Sequence, residues 1–185
     1  MFEELMTELE ERMDKALDAL KDEFATIRTG RANVSLLEGL TVDYYGVPTP
    51  VTQVATVTVP EPRLLMIQPW DKSLLHAVEK AIQQSDLGLA PNNDGAIIRL
   101  NIPQLTEERR KDLVKVVHKR TEEARVAVRN IRRDGNDSLK KMEKQDGVSE
   151  DAVKSAMDKV QELTDSKMTI IDELMAAKEK DVMEV

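Results

Sequence analysis

The segment that decides the fold lies between Thr106 and Gly147 and reads TEERRKDLVKVVHKRTEEARVAVRNIRRDGNDSLKKMEKQDG. No proline interrupts it, and Thr106 is suited to the N-cap position of a helix. Its apolar residues recur at helical spacing as one stripe: Leu113, Val117, Ala124, Ile131, Leu139 and Met142. The segment therefore predicts a single helix of ~40 residues, about 60 Å long. Gly135 lies within this helix and costs roughly 1 kcal/mol relative to alanine.

The same helix carries four arginines within ten residues, from Arg125 to Asp134. At ~100° per residue, Arg125, Arg129 and Arg132 fall on one face of the helix. The same count places Arg110 within ~60° of Arg125. The chain as a whole has a formal net charge of −8. An arginine stripe on a helix of an acidic protein indicates a phosphate-rich partner.

Two further helices are predicted at the ends of the chain. Residues 2–27 form an amphipathic helix that ends near Thr29 and Gly30. A third helix begins after Ser149 as N-cap. Its predicted apolar stripe consists of Val153, Met157, Val160, Leu163, Ile170 and Leu174. Three long helices with narrow apolar stripes bury those stripes against one another, which predicts a three-helix bundle from residues 1–29 and 105–185.

The middle of the chain, residues 31–104, has a different pattern and contains all seven prolines. Strands are predicted at residues 42–46, 51–59, 63–67 and 96–102, with one helix at 73–85. The sequence therefore predicts a small α/β domain inserted into the bundle, and an α+β chain overall. Two linkers join the domains, one at Gly30 and Arg31 and the other at Pro103 and Gln104, and together they predict a hinge.

Charge is distributed unevenly along the chain. The net charge is −7 over residues 1–104, +5 over residues 105–144 and −6 over residues 145–185. A basic rod flanked by acidic segments favours local, oriented binding over indiscriminate coating of nucleic acid.

Several classes of function are disfavoured by composition. The chain has no cysteine, and its two histidines, His76 and His118, lie in different predicted domains. Neither histidine has a partner pattern for metal or triad chemistry. The seven glycines are dispersed, so no Gly-rich phosphate loop is expected. No apolar run approaches the ~20 residues of a membrane span, and the N-terminus lacks a signal-peptide pattern. We therefore expect a cytoplasmic protein that is no enzyme and has no metal or cofactor.

Several separated motifs resemble the ribosome recycling factor family over essentially the full chain. They are Ile27-Arg28-Thr29-Gly30-Arg31-Ala32, Tyr44-Tyr45-Gly46 before Pro48-Thr49-Pro50, Ser85-Asp86-Leu87-Gly88-Leu89, residues 105–111 and the arginine segment. The resemblance implies an L-shaped protein with a three-helix bundle and an inserted α/β domain on a hinge. It also implies a function. With elongation factor G, which hydrolyses GTP, such a protein splits the post-termination ribosome into subunits.

The resemblance also implies partners and site residues. The partners are the large ribosomal subunit, through its rRNA, and elongation factor G, with the chain itself expected to be a monomer. The expected rRNA-binding residues are Arg132, Arg129, Arg110, Arg133, Arg125, Arg28 and Arg31. The expected hinge residues are Gly30, Arg31, Pro103 and Gln104.

Other interpretations of these residues remain open at this point. The arginine segment is also compatible with a solvated helix face. Such a face would be stabilised by ion pairs of Glu122 with Arg125 and of Arg129 with neighbours near Asp134. Arg28 and Arg31 are equally suited to salt bridges near the hinge. The bundle as a whole is compatible with a coiled-coil scaffold for protein partners or with a helical chaperone-like clamp.

Overall fold

The structure, a computed structural model, describes residues 2–184. In chain order its elements are α1 (Phe2–Ala25), β1 (Thr41–Tyr44), β2 (Val47–Pro50), β3 (Ala55–Glu61), β4 (Leu64–Pro69), α2 (Leu75–Gln84), β5 (Pro91–Asn93), β6 (Ile98–Asn101), α3 (Glu107–Gln145) and α4 (Glu150–Met183). The described chain divides into two compact units. Residues 2–27 with Glu107–Glu184 form the helical unit, and Arg28–Thr106 form the small unit. The predicted α+β class is confirmed.

The helical unit is a bundle in which α1, α3 and α4 each pack against the other two. α3 begins at Glu107, directly after the predicted N-cap. α4 begins after Ser149, whose hydroxyl accepts a hydrogen bond from the N–H of Ala152 at 3.2 Å, as a cap should. α1 ends at Ala25, two residues before the predicted end, because the N–H of Ile27 bonds to the Phe24 carbonyl in a tighter three-residue turn.

Gly135 has a packing role that the sequence did not reveal. It is buried in α3, and a Cβ atom at this position would lie 2.5 Å from Cδ1 of Leu9. Leu9 itself is 1% exposed and therefore has little room to move. The absence of a side chain lets α1 approach α3 closely. Glycine is therefore required for packing at this position, although it lowers helix propensity.

The apolar stripe predicted for α4 is partly wrong. Val153 and Val160 are buried, but the other four residues of that stripe are only half-buried. The buried positions of α4 are Val153, Ala156, Val160, Thr164, Lys167, Ile171 and Val182. The prediction followed side-chain hydrophobicity, whereas the face in contact with α1 and α3 includes polar residues whose hydrogen bonds are satisfied. The hydroxyl of Thr164 donates to the Val160 carbonyl at 2.8 Å. The ammonium of Lys167 lies 2.7 Å from Asp14 and 3.4 Å from Glu10.

The small unit combines two antiparallel sheets with α2. β1 and β2 form a hairpin, and the other four strands form a sheet of order β3-β4-β6-β5. α2 packs against β1, β4 and β5. The core cluster is Leu37, Val42, Val51, Val54, Ala55, Leu65, Ile67, Leu74, Leu75, Val78, Ile82, Ile98 and Leu100. Both outer strands of the larger sheet contain a proline, Pro60 in β3 and Pro91 in β5.

The secondary-structure predictions for the small unit need three corrections. The predicted strand at 51–59 is a short 3-10 turn, Val51–Gln53, followed by β3, because the N–H of Val54 bonds back to the Val51 carbonyl. β2 and β5 were missed because proline and asparagine favour turns. The predicted helix at 73–85 begins at Leu75, after a 3-10 turn that the Asp71 carboxylate caps at the N–H of Ser73.

Candidate nucleic-acid interface

Arg125 is the most restrained of the predicted arginines. Its side chain is 24% exposed, and its Nη2 donates to Oδ1 of Asp172 on α4 at 2.6 Å. Its Nη1 donates to Oε2 of Glu122 at 3.3 Å. The hydrogen bond to Asp172 raises the pKa of Arg125 against the opposing effect of partial burial, and the bond to Glu122 adds to the rise. Arg125 thus fixes the arginine-bearing side of α3 to α4.

Arg129 shares the carboxylate of Glu122. Its Nη1 donates to Oε1 of Glu122 at 3.0 Å, while its side chain remains 46% exposed. Hydrogen bonds from Arg129 and then from Arg125 lower the pKa of Glu122, so this carboxyl group stays ionised at neutral pH. Two guanidinium groups, about one turn of helix apart, are therefore held by one anion.

Arg132 is held by a neutral partner. Its Nη1 donates to Oε1 of Gln161 on α4 at 3.3 Å, and Nε2 of Gln161 donates to Oδ1 of Asp165 at 2.9 Å. We define the arginine face as Arg125, Arg129 and Arg132. Arg125 and Arg132 bond to residues of α4. Arg129 bonds to Glu122 of α3 itself.

Arg133 adjoins the arginine face, one residue after Arg132 on α3, whereas Arg110 lies apart from it. Arg133 is exposed, and within residues 2–184 no ion pair involves it. Arg110 lies fifteen residues before Arg125, which is about 22 Å along a helix. Its side chain is partly buried, and its Nε finds no hydrogen-bond partner among the described residues. The structure therefore brings four of the five predicted α3 arginines onto one stretch of α3 and leaves Arg110 distant.

Arg28 and Arg31, the two predicted arginines outside α3, belong to the small unit. Nη1 of Arg28 donates to the Leu87 carbonyl at 2.6 Å, and its Nη2 donates to the Asp86 carbonyl at 3.4 Å. This geometry ties the start of the small unit to the loop after α2. Arg31 is exposed.

The predicted hinge residues Gly30, Arg31, Pro103 and Gln104 also lie in the small unit. Gly30 has φ +72, and a Cβ atom there would lie 3.1 Å from Cγ of Leu105. The two chain segments are thus in contact within this unit. Pro103 and Gln104 are exposed. The boundaries between the units lie between Ile27 and Arg28 and between Thr106 and Glu107.

Other chemistry finds no support among the described residues. No group of three or more histidine or carboxylate side chains within residues 2–184 is arranged to hold a metal ion. His118 pairs with Glu179 at 3.1 Å, and His76 is 91% exposed beside Glu79. No described helix is both long enough and apolar enough to span a membrane.

Comparison with known proteins gives one answer. The family model described as "Ribosome recycling factor" matches residues 20–183. The chain belongs to the ribosome recycling factor family. The ribosome-recycling factor of Syntrophomonas wolfei is 56% identical over 185 residues, and that of Geobacillus sp. strain WCH70 is 57% identical over 185 residues, with all of both chains covered in each case.

Solved structures of the family agree with this assignment. A solution structure of ribosome recycling factor matches with a TM-score of 0.81 and 44% identity, covering 100% of this chain and 98% of that one. A T. thermophilus ribosome recycling factor, placed with E. coli elongation factor G on the E. coli post-termination complex, matches with a TM-score of 0.68 and 49% identity over 99% of both chains. The resemblance to the family is therefore confirmed.

The carboxylate and amide partners of the arginine face were only partly visible in the sequence. The pair of Glu122 with Arg125 was considered, since the two are three residues apart on a helix. The expected pairing of Arg129 with neighbours near Asp134 is wrong, because Arg129 bonds to Glu122 at 3.0 Å and Asp134 bonds to Arg12 on α1 at 2.8 Å. Asp172 and Gln161 lie on another helix, and no local sequence signal identifies them.

Proposed function

We propose that this chain is a cytoplasmic ribosome recycling factor. It binds the large ribosomal subunit after termination and, together with elongation factor G and GTP, splits the ribosome into subunits for reuse. The supporting observation is the full-length match, at 56–57% identity, to proteins of that name. The chain acts as a translation factor and not as an enzyme, since GTP hydrolysis belongs to elongation factor G. It works as a monomer.

The arginine face supplies the contact with rRNA in this proposal. Arg129 and Arg132 are each held through Nη1 alone in the hydrogen bonds that the structure gives them. Nε and Nη2 of a guanidinium form a fork that matches two phosphate oxygens. Both side chains thus combine a fixed position with remaining donors. Arg133 adds an exposed positive charge beside them, and Arg110, Arg28 and Arg31 add further candidates in both units.

The small unit supplies the part on which elongation factor G acts. Among the described residues, its three most exposed large apolar side chains are Tyr45 at 83%, Val47 at 61% and Trp70 at 68% exposure. Tyrosine and tryptophan side chains are enriched at protein interfaces. The chain passes between the units twice, next to Gly30 and Arg31 and next to Pro103 and Gln104, which supports a hinge at this place.

Co-sedimentation with purified large ribosomal subunits at several salt concentrations tests the interface. Arg129→Ala and Arg132→Ala should each weaken binding by roughly 1.5–3 kcal/mol, the range for a hydrogen bond to a charged group. The matched control is Arg120→Ala, which removes an arginine of the same helix that pairs with Glu23 and Glu123 instead. Each lost phosphate contact should also reduce the log–log salt slope by about 0.7–0.9.

Two results would contradict the proposal. Wild-type affinity in a folded Arg132→Ala variant would exclude the arginine face as the rRNA contact. Ribosome binding that does not change with salt would favour a scaffold that joins protein partners.

A further inference from the structure

Glu122 occupies an unusual place on the arginine face. Its two carboxylate oxygens accept from two different arginines, Oε1 from Arg129 at 3.0 Å and Oε2 from Arg125 at 3.3 Å. The residue is itself half-exposed. A phosphate that approaches Arg129 from solvent therefore meets an anion already bound to that arginine.

The bond to Glu122 leaves a usable part of Arg129 untouched. Glu122 takes only Nη1, and no other hydrogen bond of Arg129 occurs among the described residues. The Nε and Nη2 donors point along the opposite edge of the planar guanidinium. Arg129 can bind a phosphate through this edge while Glu122 keeps the side chain in place.

The charge of Glu122 acts in the opposite direction. A carboxylate about 7 Å from a phosphate repels it by an energy that corresponds to roughly a threefold loss of affinity in water. This repulsion applies to any polyanion. The positioning of Arg129, in contrast, raises affinity only for a ligand with a phosphate in front of the Nε and Nη2 donors of Arg129.

We propose that Glu122 is a positioning and selectivity residue of the arginine face, which lowers affinity for generic RNA while it holds Arg129 ready for one phosphate of the large ribosomal subunit. This inference rests on the proposed function. At a generic RNA, the negative charge of Glu122 repels phosphate and the fixed position of Arg129 gives no compensating gain in affinity. At the correct site, the fixed guanidinium of Arg129 offsets that repulsion.

The test compares Glu122→Gln with Glu123→Gln. The two variants remove the same charge from neighbouring positions of α3. Glu123 is also half-exposed and also accepts from an arginine three residues away, since Nη1 of Arg120 lies 3.2 Å from its Oε2. Its side chain, however, is turned ~100° around the helix from Glu122. Binding is measured to a 20-base-pair RNA duplex of arbitrary sequence and to purified large subunits, with thermal unfolding as a check of the fold.

Glu122→Gln should bind the RNA duplex about threefold more tightly than the wild type. Its affinity for large subunits should not rise and should fall up to about threefold, because the amide holds Arg129 less firmly. The ratio of the two affinities therefore falls. Glu123→Gln should change both affinities by less than about twofold, because its carboxylate faces away from Arg129 and charges farther apart than a Debye length of ~8 Å are largely screened. In an Arg129→Ala background, Glu122→Gln should cause no further loss of large-subunit binding.

Equal changes in the two glutamine variants would overturn the role of Glu122, and so would a rise of both affinities by the same factor in Glu122→Gln. Failure of the proposed function looks different. In that case Arg129→Ala keeps wild-type affinity for large subunits, whatever the glutamine variants do. Loss of binding in Arg129→Ala together with identical glutamine variants overturns the inference alone.

Discussion

The helical unit and the small unit differ in what they bury and in what they expose. The helical unit buries Thr121, Thr164 and Lys167 among its apolar side chains, whereas the core cluster of the small unit is entirely apolar. On the surface, the polar and apolar side chains of note are distributed differently between the two units. α3 exposes arginines, and the small unit exposes the rings of Tyr45 and Trp70.

This difference indicates two kinds of partner. Exposed guanidinium groups suit a polyanion, since their long-range attraction does not depend on a close fit. Exposed aromatic side chains suit a folded protein, since their contribution depends on removing apolar surface from water. We expect changes in one unit to separate ribosome binding from subunit release.

Removal of the small unit should have the largest effect. Residues 1–27 joined to 107–185 by a short flexible linker should fold, because the bundle draws none of its buried residues from 28–106. This variant should compete with the intact protein for large subunits and should fail to release subunits when elongation factor G and GTP are added. Light scattering measures the release. Full splitting by the bundle alone would mean that the small unit does not act as proposed.

Gly135→Val should destabilise the helical unit by about 1–3 kcal/mol, the usual cost of overpacking a filled core. The reason is the 2.5 Å approach that a Cβ atom would make to Leu9. Chemical unfolding monitored by circular dichroism measures the effect. Adding Leu9→Ala should recover part of the loss by opening space, and a double variant that is simply the sum of both losses would contradict this packing account.

Gly30→Val should strain the segment that leads into the small unit. A left-handed backbone costs a residue with a β-branch about 1–2 kcal/mol, and Leu105 stands against the new side chain. Gly39→Val is the matched control, since Gly39 has φ +81 in the same unit with nothing within 4 Å. Both variants should bind large subunits normally, and only Gly30→Val should slow splitting. Equal splitting rates would remove Gly30 from the hinge.

The smallest effect concerns Asp94 on the surface of the small unit. Hydrogen bonds from Arg99 and from the N–H groups of Ile97 and Ala96 lower the pKa of Asp94 to about 2. A folded-state pKa below the unfolded value means that the ionised pair stabilises the unit above that unfolded value. The stabilisation is lost as pH falls through about 2. NMR titration of the Asp94 carboxyl carbon measures this pKa, and a midpoint near 4 would show that the Arg99 pair does not persist in solution.

The sequence predicted those parts of the fold that depend on local signals. The bounds of α3 and α4 followed from Thr106, Ser149 and Gly147, whose capping and turn preferences act within a few residues. The buried face of α4 was harder to predict. Lys167 is buried because Asp14 and Glu10 lie on another helix, and hydrophobicity alone places such a residue outside.

The candidate site shows the same limit. The spacing of Arg125, Arg129 and Arg132 correctly predicted neighbours on one helix face. The spacing did not show that Asp172, 47 residues further along the chain, takes Nη2 of Arg125. Helical periodicity shows on which side of one helix a side chain lies. A pair such as Arg125 and Asp172 also depends on how two helices pack against each other.

The prolines in the outer strands of the larger sheet affect how copies of the protein meet. A free sheet edge usually offers a row of N–H and carbonyl groups that can recruit a strand from another molecule. Pro60 in β3 and Pro91 in β5 each lack the N–H that such a recruited strand would need. The small unit can thus keep apolar side chains exposed for a partner without its sheet continuing into that of a second copy, which protects the protein from edge-to-edge aggregation.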